Sequence, residues 1–69
     1  MNDHVYKTVE VTGSSSDVIS DAIRKAVAKA AQTLRNLEWF EVVQIRGVIS
    51  EGSVSYFQVT VKLGFRLED

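Results

Sequence analysis

The chain contains no cysteine and no proline, and it has one methionine, one tryptophan and one histidine, His4. Without cysteine there is no disulfide to restrain the unfolded state and no thiolate to act as a nucleophile. One imidazole, with no carboxylate cluster at ligand spacing, argues against a metal centre and against catalysis. His4 reads as an incidental surface residue near a terminus. Gly47 and Gly64 are isolated glycines, not a loop that cradles phosphate. Lys+Arg number 8 against 9 for Asp+Glu, a formal net charge of −1, so neither sign dominates and nucleic acid is not an expected partner. No apolar run approaches the roughly 20 residues of a membrane helix. The start "MNDHVYK" lacks the basic-then-apolar order of a signal peptide. These absences predict a soluble, cytoplasmic protein with no membrane partner.

With no proline, linker, repeat or low-complexity stretch, residues 1–69 are expected to form one domain. A core of that size rarely supplies more than about 3–5 kcal/mol of net stability. With disulfides excluded and metal disfavoured, oligomerisation or a bound ligand is the remaining support.

Four elements account for nearly all the residues. "HVYKTVEVT" (4–12) is rich in β-branched residues and predicts a strand, closed by Gly13 and a serine cluster. "GSSSD" predicts a helix start, in which a serine at 14, 15 or 16 can accept from the free amides of the first turn and Ser14 and Asp17 have the spacing of a weak capping box. Ile19, Ile23, Ala26, Val27, Ala30 and Leu34 then recur at helical spacing to about residue 36. Asp17 and Asp21 near its start and Lys29 and Arg35 near its end suit the helix dipole. Residues 38–50 and 54–68 form two long β-rich runs joined by "SEGS".

The length of that joint decides which residues share a face, because side chains alternate along a strand. A two-residue Glu51-Gly52 turn pairs Ser50 with Ser53 and Ile45 with Gln58. One face then carries Phe57, Val59, Val61, Leu63, Phe65 and Leu67 towards the helix. The other carries Tyr56, Gln58, Thr60, Lys62 and Arg66, joined by Trp39, Glu41, Val43 and Ile45. A three-residue turn moves Trp39 inward and Arg46 outward, and a bulge places both near the second face. The two-residue turn is the reading adopted. It gives an α+β domain in which one helix covers one face of a three-stranded antiparallel sheet, in β-α-β-β order. The open face mixes aromatic and aliphatic side chains with an amide and a guanidinium, the composition of an interface or a ligand site. The plainer alternative for Trp39 is a core aromatic.

"HVYKTVEVTGSSS", "AAQTLRNL", "WFEVVQIRGVI" and "FQVTVKLGFRLED" together resemble the dodecins, a family of very small flavin-binding proteins that assemble as hollow homododecamers. The resemblance runs from His4 to Asp69 and is most specific at Trp39-Phe40-Glu41-Val42, Ile45-Arg46-Gly47 and Gln58-Val59 through Gly64-Phe65-Arg66-Leu67. Val48 departs from it, since relatives often carry histidine or another polar residue there.

The resemblance implies that Trp39 stacks on an isoalloxazine ring, with two flavins held between symmetry-related tryptophans. It implies that Gln58 meets the polar edge of the flavin, where its amide offers two donors and an acceptor. Arg46 and Arg66 fall at basic positions near the flavin tail or its phosphate. A guanidinium fork suits phosphate, which favours FMN over riboflavin or FAD. Lys7 and Lys29 match positions where some relatives bind the anionic part of coenzyme A. Each role has a plain counterpart. Gln58 can be a cross-strand amide, the arginines can form surface ion pairs with Glu41 or Glu68, and the lysines can be solvated.

The expected function is thus non-enzymatic flavin storage and photoprotection in a homododecamer. The alternatives are a structural oligomer without a physiological flavin, or a small flavin-dependent oxidoreductase.

Overall fold

A computed structural model describes residues 3–68. The elements run β1 (Tyr6–Ser15), α1 (Ile19–Ala31), β2 (Leu37–Ser50) and β3 (Ser53–Arg66). The three strands form one antiparallel sheet in the order β1-β3-β2, so the last strand in sequence lies in the middle. The β-α-β-β arrangement is the one expected.

The first strand is longer than its β-branched run, taking in Gly13, Ser14 and Ser15. Gly13 does not close the strand. It is where the helix comes closest, since a Cβ there would collide with the Ala22 carbonyl and meet Ala26 Cβ at 3.0 Å. Glycine in a strand is the residue that permits such an approach. The capping box expected from Ser14 and Asp17 does not form. The hydroxyl of buried Ser15 instead accepts from the amides of Asp17 (3.1 Å) and Val18 (3.4 Å) and donates to Asp21 Oδ2 at 2.8 Å. The Asp21 carboxyl is held below its usual range, first by Lys25 (3.0 Å) and then by Ser15.

The helix is also shorter than its apolar stripe. It stops at Ala31, where the amides of Thr33 and Leu34 both turn onto the Ala30 carbonyl. Asn36, at φ 63°, then reverses the chain into β2, a left-handed conformation that asparagine tolerates. Its backbone carbonyl accepts from the Arg66 amide (3.1 Å) and its side chain donates to the Arg66 carbonyl (3.3 Å), which fixes the end of the sheet.

The core is very small. Ala22, Ala26 and Ala30 of the helix pack on Val59, Val61 and Leu63 of the middle strand, with Val9, Val11, Ile19, Ile23, Val27, Leu34 and Leu37 packed around them. This is the expected stripe on the expected row, except that fully buried Ala22 stands outside that stripe and that Leu67 lies past the end of β3 and is exposed.

Glu51 (φ 53°) and Gly52 (φ 79°) make the two-residue turn, with Ser50 opposite Ser53 as expected. Positive φ at both central residues matches the strand twist of a tight hairpin. Beyond the turn the expected register fails. At Val48/Ile49, Ser55 of β3 is left without a partner, which shifts the pairing by one over residues 44–48, so Ile45 faces Val59 and it is Arg46 that faces Gln58. A second irregularity at Val42/Gln44 takes up Val43 and restores the expected register, so Trp39 faces Gly64 as the two-residue turn predicts; a third, at Leu37/Trp39, takes up Glu38. Cross-strand partners share a face, so Trp39, Glu41, Gln44 and Arg46 lie on the open side and Ile45 does not. The bulge alternative is the one realised: tight turn, with Trp39 and Arg46 on the same face.

Candidate ligand-binding face

The register sets out the open face as a series of cross-strand rows. Along β3 these are Tyr56 with Val48, Gln58 with Arg46 and Ser14, Thr60 with Gln44 and Thr12, Lys62 with Glu41 and Glu10, Gly64 with Trp39 and Thr8, and Arg66 with Tyr6. No side chain exists at position 64, and the Trp39 indole occupies that space. A Cβ at residue 64 would fall within the Cε2, Cζ2 and Nε1 edge of the ring. The ring is 42% exposed, so it is not core.

The indole also leans across the sheet. Trp39 and Tyr6 stand on the two outer strands, with β3 between them, yet their ring centroids are 6.5 Å apart at 55°. Strands two positions apart are separated by roughly 9–10 Å. Both rings therefore reach over the middle strand, and they meet where Gly64 leaves room.

Beside the indole, Glu38 joins Tyr6 and Arg66. This residue has no cross-strand partner because the Leu37/Trp39 bulge takes it up. Its carboxylate accepts from the Tyr6 hydroxyl at 2.8 Å and pairs with Arg66 Nη1 at 3.5 Å. The carboxylate holds the Tyr6 proton above its ordinary range. Arg66 thus has an ion-pair partner, but it is Glu38 rather than Glu41 or Glu68.

Arg46 donates from Nε to Gln58 Oε1 at 2.8 Å. The acceptor half of the Gln58 amide is engaged in this way, while its two N–H donors and the Nη groups of Arg46 keep their capacity. Arg46 makes no ion pair among the described residues.

The structure brings Arg46 and Gln58 together, and Trp39 and Arg66 close to each other, but it does not unite the two pairs. Gln58 and Gly64 are six residues apart on β3, roughly 20 Å at ~3.3 Å per residue. One flat ring resting on Trp39 cannot reach Gln58 of its own chain. Lys7 and Lys29 are exposed and lie away from this face, Lys7 opposite Phe65 on the helix side and Lys29 in the last turn of α1. Val48 faces Tyr56, one row from the Arg46–Gln58 pair. Sequence reasoning missed Tyr6 and Glu38, since only the strand order and the bulge bring them to the tryptophan, and it missed the seating role of Gly64, although the adopted turn already sets residue 64 opposite Trp39.

No helix among the described residues is long and apolar enough to cross a membrane. Among those residues no group of three or more His, Asp or Glu could hold a metal ion.

A single helix covers one face of a three-stranded sheet, and a half-exposed tryptophan and an arginine–glutamine pair stand on the uncovered face, which makes this a small α+β domain with one mixed aromatic and polar face open. The sequence model of the dodecin family matches residues 5–68, and the chain belongs to that family. It is 51% identical over 65 residues to dodecin of Thermus thermophilus, covering 94% of each chain. It is similar in structure to dodecin from Streptomyces coelicolor, with a TM-score of 0.92 and 54% identity over 100% of this chain and 99% of that one. Dodecin from Streptomyces davaonensis gives a TM-score of 0.92 at 43% identity, over 99% and 100%. Dodecins are flavin-binding proteins that oligomerise and in general are not enzymes.

Proposed function

We propose that this chain is a cytoplasmic, non-enzymatic subunit of a hollow homododecamer that stores flavin and protects it from light. The observation that carries the reading is the position of Trp39. The only tryptophan of the chain is seated with one side on the backbone of Gly64 and a large part of its surface free on the open face. A flat aromatic held in that way is a stacking plate, and stacking adds about 0.5–1.5 kcal/mol beyond the area buried.

Exposed apolar surface supports assembly. Phe40 (51%), Ile45 (52%), Val54 (60%) and Ile49 (74%) stand open around a core of six buried residues. β2 is also an edge strand of 14 residues that is exposed over most of its length. A soluble chain does not sustain such an edge alone.

The distance between Trp39 and Gln58 supports a shared site. Each flavin would stack on Trp39 of one copy and meet the N–H donors of Gln58 from another. The Nη groups of Arg46 suit the phosphate of FMN, which is the flavin proposed, ahead of riboflavin or FAD. Arg66 is a second cation beside the indole, already engaged by Glu38. Lys7 and Lys29 are the proposed contacts for the anionic part of coenzyme A.

An indole in van der Waals contact can give an electron to the light-excited flavin and recover it at once, so the energy leaves as heat. Covering both faces of the ring in this way leaves no approach for a substrate, which is why storage is preferred to redox catalysis. Native mass spectrometry of the purified protein tests the reading, with twelve subunits and bound FMN expected. A monomer or dimer at micromolar concentration, or an assembly that takes up no flavin when it is supplied, refutes it.

A further inference from the structure

We propose that Gly64 is a positioning residue for ligand stacking, acting through Trp39 without touching the ligand. This rests on the reading of Trp39 as a stacking plate. The face beneath a stacking ring is as consequential as the ring, because it fixes height and tilt. Here that face is the bare backbone of the middle strand. Trp39 lies directly across from Gly64, and its Cε2, Cζ2 and Nε1 edge fills the place of the missing side chain. The backbone of Gly64 has no positive φ, so its conformation is open to other residues and the demand for glycine is one of space alone. Neighbouring rows carry side chains on this face, Lys62 on one side and Arg66 on the other. The indole therefore has a single gap through which to lean towards Tyr6 on the far strand.

A methyl group at 64 closes that gap. The ring must lift from the sheet or swing outward, losing its place against Tyr6 and changing the spacing between facing indoles. Residue 64 thereby controls which thickness of stacked ligand the assembly accepts.

The test uses the assembled protein carrying Gly64→Ala, with FMN as the probe. Light scattering is expected to give the wild-type mass. FMN affinity is expected to fall by about two- to twelvefold, the fold-change equivalent of one aromatic stack, with brighter emission from the flavin that remains bound. Wild-type affinity and quenching in an intact Gly64→Ala assembly would overturn the proposal. Trp39 is the only tryptophan, so intrinsic emission reports its seat without any flavin. A changed emission maximum and easier acrylamide quenching in the ligand-free variant are expected even should the wild type bind no flavin, and unchanged Trp39 emission overturns the seat itself. Where Gly64→Ala alone fails to assemble, Gly64→Ala with Trp39→Ala decides. Recovery of assembly in the double variant shows that the collision with the indole was the cause, whereas continued failure shows that glycine serves the sheet and refutes the proposal.

Discussion

Trp39→Ala separates a stacking plate from a core aromatic. Complete burial of an aromatic makes its truncation cost about 3–5 kcal/mol, part of it from the cavity left behind. At 42% exposure a little over half of Trp39 is covered, and the space it vacates opens to solvent over Gly64. The expected cost to the subunit is therefore about 2–3 kcal/mol. The six-residue core of helix alanines against Val59, Val61 and Leu63 is on the other face and is untouched. Size-exclusion with light scattering should find the assembly intact, and denaturant unfolding should read the reduced stability. A flavin titration should then show weaker binding with brighter bound flavin, because the quenching partner is gone. Ligand protection should shrink in step: binding to the native state alone adds about 2.7 kcal/mol at a hundredfold excess over Kd, and less as Kd rises. Collapse of the ligand-free assembly into unfolded chains would show that the indole is structural. Wild-type affinity with full quenching would show that the flavin lies elsewhere.

Arg46→Ala should weaken FMN more than riboflavin, by about the 1.5–3 kcal/mol of a hydrogen bond to a charged group, with the gap narrowing as salt rises; titration with both ligands checks this, and equal losses would assign Arg46 to Gln58 and the ring. Asp21 has its pKa depressed by Lys25 and Ser15, so its folded form favours the carboxylate. The stability it contributes is present above the ordinary Asp range and is lost as pH falls through the depressed folded value. Asp21→Asn should flatten the acid limb of a stability-against-pH profile, and an unchanged limb would show that other carboxylates set it.

Much of the site's chemistry is legible from residue types. One flat ring, one amide and two guanidiniums in strand-forming runs suffice to propose a ring stacked near an anion, and the family resemblance supplies the flavin. Their arrangement is not legible in the same way. Alternation places residues on faces only while the register is unbroken, and the β2–β3 ladder breaks it three times, at Glu38 and Val43 of β2 and at Ser55 of β3. Each irregularity consumes one residue without a strong sequence signal, which is why Ile45 was expected where Arg46 stands. Glu38 reaches Tyr6 and Arg66 for the same reason.

The sequence by itself determined the order of elements, the helix stripe and the buried row of β3, because each of these rests on local periodicity. It also determined the tight turn, through a glycine where positive φ is needed. Only the tertiary structure decided that β3 runs between the other two strands, that Gly13 and Gly64 are vacancies filled by a helix and an indole, and that Trp39 and Gln58 lie too far apart to share a ligand within one chain. These are relations between residues distant in sequence, fixed by which backbone can approach which, and no local pattern encodes them.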